Sequence, residues 1–108
     1  MNAGVPAVDV SSLAEALVAG ALLIDVREPD EYDEAHVAGA RLVPLQSVPT
    51  VIDELPVGQP VYVICRSGGR SHDAVTFLRQ QGIDARNVLG GTLAWIAADL
   101  PVTTGSAD

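Results

Sequence analysis

Lysine is missing from this 108-residue chain, cysteine occurs once, and aromatic side chains make up only 4% of it. A single cysteine rules out a disulfide within the chain, which suits a reducing compartment; any oxidised or sulfur-loaded form must be resolved by a thiol from outside. It also argues against a paired-cysteine redox motif. The two histidines, His36 and His72, lie too far apart for zinc-site spacing, so no metal is expected, and no cofactor either. No apolar stretch approaches the ~20 residues that a helix needs to cross a bilayer, and the first residues lack the charged and apolar regions of a secretion signal. A cytoplasmic location without membrane contact is therefore expected. Positive charge is scarce as well, with six arginines against 14 Asp and Glu and a net charge of -8, so the general surface repels nucleic acid. Arg27, Arg66 and Arg70 nevertheless fall in or near two segments singled out below. A local positive pocket on an acidic body suits a small anionic substrate.

What the chain does have is concentrated in one loop. The apolar run Val61-Tyr62-Val63-Ile64 ends at Cys65, and Cys65-Arg66-Ser67-Gly68-Gly69-Arg70-Ser71 then leads into an amphipathic stretch from Ala74. Strand, glycine-bearing loop and helix start, in that order, curl several backbone N–H groups around one point and aim the positive end of a helix at it. Free cysteine titrates near ~8.5; a helix N-terminus and neighbouring arginines lower that value. A lone cysteine ending a buried strand is more often an inert small hydrophobe. The glycines, arginines and serines that follow Cys65 make a poor core segment and a good anion cradle, which favours a reactive thiol.

Elsewhere strand and helix signals alternate. Residues 1–7 read as a loose terminus, residues 8–101 as one domain with one core, and residues 102–108 as a loose polar tail. Val8-Asp9-Val10 suits a short edge strand, and Ser12 to Glu15 a capping box opening a helix with Leu13, Ala14, Leu17 and Val18 on its apolar stripe. Ala21 to Ile24 is a continuous apolar run, as in a strand covered on both faces, and it ends in Asp25-Val26-Arg27-Glu28. Pro29 opens a short acidic helix expected to reach His36, which then sits at a turn. Ala40 to Val43 is a candidate strand, and a helix is expected from about Pro49 to Leu55. After the cysteine loop, Ala74, Val75, Phe77 and Leu78 share one helical face; Ala85 to Leu89 is a last strand, and Gly90-Gly91 turns into a short helix holding Trp95.

Such alternation, with connections too long for hairpins, predicts an α/β fold with a parallel sheet. Ligands bind beyond the carboxyl ends of strands in these sheets. Asp25–Arg27 and Cys65 would share that rim.

At this point the chain resembles the single-domain rhodaneses, a sulfurtransferase family. The resemblance rests on Leu23-Ile24-Asp25-Val26-Arg27-Glu28-Pro29 with Glu31-Tyr32, on His36-Val37-Ala38-Gly39-Ala40, on the loop Cys65 to Ser71, and on Gly90-Gly91 with Trp95. Ala35 and Ala38 depart from the family, which usually shows glycine and often proline there; both bear on a turn and not on chemistry. The resemblance implies a sheet of about five mostly parallel strands with helices on both faces. It implies that Cys65 is the nucleophile and carries a persulfide, and that Arg66, Ser67, Gly68, Gly69, Arg70 and Ser71 form the substrate-binding loop, with Asp25, Arg27 and Glu28 in support. A thiosulfate or persulfide donor, and cyanide or a thiol as acceptor, would be the small partners.

Arg70 either orients the anionic donor or pairs with Glu28 or Asp25 to hold the loop's shape. Asp25 reads as a strand-end acceptor, His72 as solvated, and Trp95 as a packing residue. Cysteine-dependent phosphatases and arsenate reductases use a similar loop, but theirs place an arginine after five intervening residues. Here Arg70 follows after four and Ser71 holds that position, a loop suited to a single sulfur. Two other readings stay open: a non-catalytic sulfur-sensing or partner-binding module, and a relay passing sulfur between proteins.

Overall fold

The computed structural model describes residues 5–105. In chain order the elements are β1 (Ala7–Val8), α1 (Val10–Val18), β2 (Leu22–Asp25), α2 (Pro29–Glu34), β3 (His36–Val37), β4 (Arg41–Leu42), a 3-10 segment (Leu45–Glu54), β5 (Pro60–Ile64), α3 (Gly69–Gln80), β6 (Asp84–Val88), α4 (Gly91–Ala97) and β7 (Val102–Thr103). Five strands form one sheet in the order β1-β6-β5-β2-β4, and every neighbouring pair is parallel. β5 is its centre.

The period of two along β5 decides what covers each face. Val61, Val63 and Cys65 pack into one core with Val48 and Val51 of the 3-10 segment and Ala74, Val75 and Leu78 of α3. Tyr62 and Ile64, one residue out of step, pack into the other core with Leu13 of α1, Tyr32 of α2 and Trp95 of α4. Helices therefore cover both faces, and the expected five-stranded α/β architecture is the one observed.

Several local boundaries differ from the sequence reading, each for a physical reason. Helix α1 starts earlier than the Ser12 box, because Asp9 is its cap: its Oδ1 accepts the Ser12 N–H at 2.8 Å. This shortens the first strand to Ala7–Val8 and moves Val10 into the helix. Val18 leaves the apolar stripe and is 91% exposed, since it lies five residues and about 140° round the helix from the buried Leu13. Helix α2 stops at Glu34, where the Ala35 carbonyl is taken by the Arg27 guanidinium at 2.8 Å. His36 is then a buried strand residue rather than a turn residue, donating from Nδ1 to the Tyr32 carbonyl at 2.8 Å and stacking on the Tyr32 ring. The segment around Pro49 begins at Leu45 and runs as 3-10 turns, because Pro49 has no N–H to continue an α-helical ladder.

Both expected loose ends are tied where they are described. Ala7 pairs with Asn87, and the Asn87 N–H reaches the Pro6 carbonyl. Val102–Thr103 pairs antiparallel with β3, Trp95 Nε1 donates to the Pro101 carbonyl at 2.7 Å, and the Gly105 N–H reaches the Asp33 carbonyl. The remainder of each proposed tail, residues 1–4 and 106–108, lies outside the described residues.

Candidate active site

Asp25 and Ile64 are register partners at the ends of β2 and β5, so the next residues of both strands emerge at the same rim. β5 continues into Cys65, 1% exposed, with its Sγ turned back beneath the loop. The reversal depends on Gly68, whose φ of +118° is closed to ordinary L-residues. Its N–H thereby points at Cys65 Sγ from 3.1 Å. The Ser71 hydroxyl, in the first turn of α3, lies 3.2 Å from the same sulfur. Burial is the largest single influence on this thiol and pushes its pKa up. The Ser71 hydroxyl and the N–H groups of Ser71, Gly68 and Ser67 together outweigh it and hold the thiol below its ordinary value.

The loop is held from behind by α4. The Thr92 and Leu93 N–H groups donate to the carbonyls of Cys65 at 2.9 Å and Arg66 at 3.1 Å, and the Thr92 hydroxyl donates to Cys65 O at 3.0 Å. This close approach requires glycine at 91. A Cβ there would lie 2.5 Å from the Arg66 carbonyl oxygen and 2.6 Å from that of Cys65. From β6, the buried Asn87 reaches under the loop, its Nδ2 donating to the Gly68 carbonyl at 3.3 Å and its Oδ1 lying 2.5 Å from Ser71 Oγ.

The two loop arginines are not equivalent. Arg70 forms a two-pronged pair with Glu31 of α2, at 2.7 and 2.8 Å, and not with Glu28 or Asp25. The pair drives Glu31 down to about 2 and Arg70 up. Glu28 is exposed and gives its backbone N–H to Glu31 Oε1 at the start of α2. Asp25 is committed elsewhere: it takes Arg27 in a buried pair with three N···O contacts of 2.9 to 3.2 Å. Arg66 is exposed at the mouth, and among the described residues it is the one arginine without a carboxylate partner. His72 is exposed, with Asp73 as its acidic neighbour.

Asn87 and Thr92 are thus parts of the site that sequence reasoning did not single out, and Glu31 and Gly91 are parts that it quoted as motif residues without a role. Asn87 left one trace: an amide in a buried strand, where asparagine is depleted, needs a specific partner. The assembled geometry is a buried soft atom ringed by N–H and O–H donors, with one unengaged cation outside. Such a sulfur can ionise, attack an electrophilic sulfur and hold the resulting negative charge.

Comparisons with known proteins show the family. The sequence profile of the rhodanese-like domain matches residues 9–98. The chain belongs to the rhodanese-like family. It is 35% identical over 98 residues to a sulfurtransferase from Allochromatium vinosum, covering 88% of this chain and 92% of that one. It is 38% identical over 74 residues to a putative sulfur carrier protein from Bacillus subtilis, covering 68% of this chain but only 40% of the relative. Among solved structures, a rhodanese-related protein from Thermoplasma volcanium superposes with a TM-score of 0.84 at 31% identity, covering 91% of this chain and 97% of that one. At the level of the family, the chemistry of this rhodanese-like chain is sulfur transfer. Among the described residues no helix is long and apolar enough to cross a membrane.

Proposed function

We propose that this rhodanese-like chain is a thiosulfate sulfurtransferase-type enzyme that carries sulfane sulfur on Cys65 as a persulfide. The carrying observation is the Gly68 N–H at 3.1 Å from a buried Cys65 Sγ, within a loop that offers the sulfur hydroxyl and amide donors and no carboxylate. In the first half-reaction the Cys65 thiolate attacks the outer sulfur of a donor such as thiosulfate. The new S–S bond forms as the donor's S–S bond breaks, and sulfite leaves with the electron pair. The persulfide's negative charge comes to rest among the N–H groups of the Arg66 to Ser71 loop, which act as oxyanion-hole donors do for oxygen. In the second half-reaction cyanide or a thiol takes the terminal sulfur and the Cys65 thiolate is regenerated. The kinetics are then ping-pong.

Arg66 is the residue left to draw in an anionic donor, because Arg70 is engaged by Glu31 and holds the loop against α2. Asp25 and Arg27 brace the rim rather than handle protons; sulfur exchange between soft nucleophiles needs no general acid. With one cysteine the chain depends on external thiols to regenerate it, which fits the reducing cytoplasm.

The test is intact mass spectrometry after thiosulfate, with a Cys65→Ser control and a cyanide chase. The expected result is a gain of one sulfur in the wild type alone, removed by cyanide with thiocyanate released. A wild type that gains sulfur from neither thiosulfate nor polysulfide overturns the free-enzyme reading. A second reading, a relay in which Cys65 takes sulfur from a protein donor, is favoured by the similarity to a putative sulfur carrier protein. Loading from a persulfidated protein but not from thiosulfate would select it. Failure to load from any source would leave a non-catalytic binding module.

A further inference from the structure

In the buried triad Cys65, Ser71 and Asn87, the Ser71 hydroxyl makes three contacts with one proton. The Gly68 carbonyl only accepts, so the Asn87 side chain must turn its NH2 toward that oxygen, 3.3 Å away. Its Oδ1 then faces Ser71 Oγ at 2.5 Å and can only accept. Ser71 has one hydroxyl proton. Donated to Asn87, it cannot also be donated to Cys65 Sγ at 3.2 Å, nor to the Gly68 carbonyl at the same distance. Toward the sulfur, Ser71 is left as an acceptor. The arrangement that satisfies every group is therefore a chain, Cys65 S–H to Ser71 Oγ and Ser71 O–H to Asn87 Oδ1.

We propose that Asn87 is a positioning residue that acts through Ser71 to keep the proton on the empty Cys65 and to favour the sulfur-loaded state over the free thiolate. When the thiol ionises, its proton leaves to solvent and the Ser71 O–H must swing from Asn87 to the sulfur anion. Asn87 Oδ1, in a residue only 6% exposed, then loses its donor. An unsatisfied buried acceptor is costly. On loading, the thiolate forms its bond to the sulfane sulfur, the leaving group departs with the electron pair of the broken bond, and the negative charge passes to the terminal sulfur. No outside oxidant is needed. The bridging sulfur is now neutral, and the Ser71 hydroxyl returns to Asn87. The penalty thus falls on the empty thiolate and not on the persulfide, so a resting thiol is spared adventitious oxidation. The loading half of this inference rests on the persulfide reading above; the proton half does not.

The other charged or titratable groups on the elements around Cys65 are Arg66 and Arg70 of its own loop, His72 and Asp73 at the start of α3, Asp25 and Arg27 at the end of β2, Glu31 of α2, and Asp53 and Glu54 of the 3-10 segment. α4 brings no charge, and of the charged pair of β6, Asp84 lies at the far end of the strand while Arg86, next to Asn87 and in register with Tyr62, falls on the face of the sheet away from Cys65. None of these is altered by Asn87→Leu, which keeps the side chain's branching and number of heavy atoms and removes both amide contacts.

The experiment is a thiolate titration of unloaded protein by ultraviolet absorbance, on wild type, Asn87→Leu, Ser71→Ala and the double variant. Freed from Asn87, Ser71 can donate to the sulfur, so Asn87→Leu is expected to lower the midpoint by about half a unit, roughly three-fold more thiolate near neutral pH. In the Ser71→Ala background the same change is expected to do nothing. A raised or unchanged midpoint in Asn87→Leu, or an equal fall without Ser71, overturns the proposal. If Asn87→Leu does not fold, carbon and nitrogen resonances of the wild-type Asn87 side chain decide it. They are expected to titrate with Cys65, and to stop doing so in Ser71→Ala; static resonances overturn the proposal. No sulfur donor is used, so a protein that titrates as expected but never loads sulfur would sink the sulfurtransferase reading and leave the proton chain standing.

Discussion

Two strands end side by side at one rim and treat polarity in opposite ways. β2 ends in Asp25 and Arg27, two full charges that close on each other and on the Ala35 carbonyl until nothing is left over. β5 leads into Cys65, a weakly polar group at which the Gly68 N–H points and beside which the Ser71 hydroxyl is shared with Asn87. The charged pair is inert because it is complete. On the proposed function the soft atom is reactive, because its surroundings can receive a charge once it ionises.

If that contrast is right, the largest effect of any single change at the rim should come from uncoupling the β2 pair. Arg27→Met leaves Asp25, fully buried, without its cation, and is expected to cost about 3–5 kcal/mol of folding stability. Converting Asp25 to Leu as well should recover most of that loss, since an apolar pair of similar volume needs no partner. Urea unfolding midpoints of the three proteins check this. A loss below about 1 kcal/mol in Arg27→Met would mean that the pair is not the brace described here.

Next in size is Gly91→Ala. The new Cβ meets the carbonyls of Cys65 and Arg66 at a positive φ of +59°, and both cannot be accommodated without moving α4 off the loop. About 2–4 kcal/mol of destabilisation is expected from the overlap and the left-handed backbone together. Sulfur loading should slow as well, because the moved carbonyls belong to the residues that carry and flank the thiol. A variant that is destabilised yet loads sulfur at the wild-type rate would show that α4 supports the fold and not the geometry of the cradle.

How much of this was legible in the sequence follows from how local each cause is. The apolar runs ending at Asp25 and Cys65, the alternation along Val61 to Ile64, and the glycines of the loop act through their own chain neighbours, so pattern alone exposed the sheet, its rim and the thiol. The partner of Arg70 was not legible, because Glu31 lies 39 residues away and Glu28 and Asp25 farther still, and only packing of α2 against the loop selects Glu31 among them. Asn87 and Thr92 escaped for the same reason. The cap at Asp9 was missed although it is local, since Ser12 and Glu15 imitate a capping box one turn later. The order at the C-terminal end was invisible because a two-residue pairing of Val102–Thr103 has no pattern to read.

A smaller effect is expected at the mouth. Arg66→Gln removes the one loop cation that has no carboxylate partner among the described residues. The KM for thiosulfate should rise about five- to ten-fold with little change in kcat, equivalent to about 1 kcal/mol of uniform binding. Raising salt should shrink the difference. If kcat falls as much as KM rises, Arg66 touches the transition state and not only the arriving anion.

The smallest effect, and the one that separates bracing from chemistry within the loop itself, is at Glu31. Its folded-state pKa is depressed from 4.5 to about 2, so the stability it contributes is fully present above about pH 4.5 and is lost as pH falls toward 2. Arg70 and Glu31 keep side-chain exposures of 36% and 25%, and solvent screening limits the contribution to about 1 kcal/mol. Glu31→Gln should therefore unfold at a lower urea concentration than wild type at pH 7, and the gap should close on acidification through that window. The variant also frees Arg70. If Arg70 is only a strap, thiosulfate affinity stays the same or weakens as the loop loosens. A tighter KM in Glu31→Gln would instead show that the loop holds a second anion-binding arginine in reserve, and that the contrast between a completed pair and a waiting site runs through the cradle as well as across the rim.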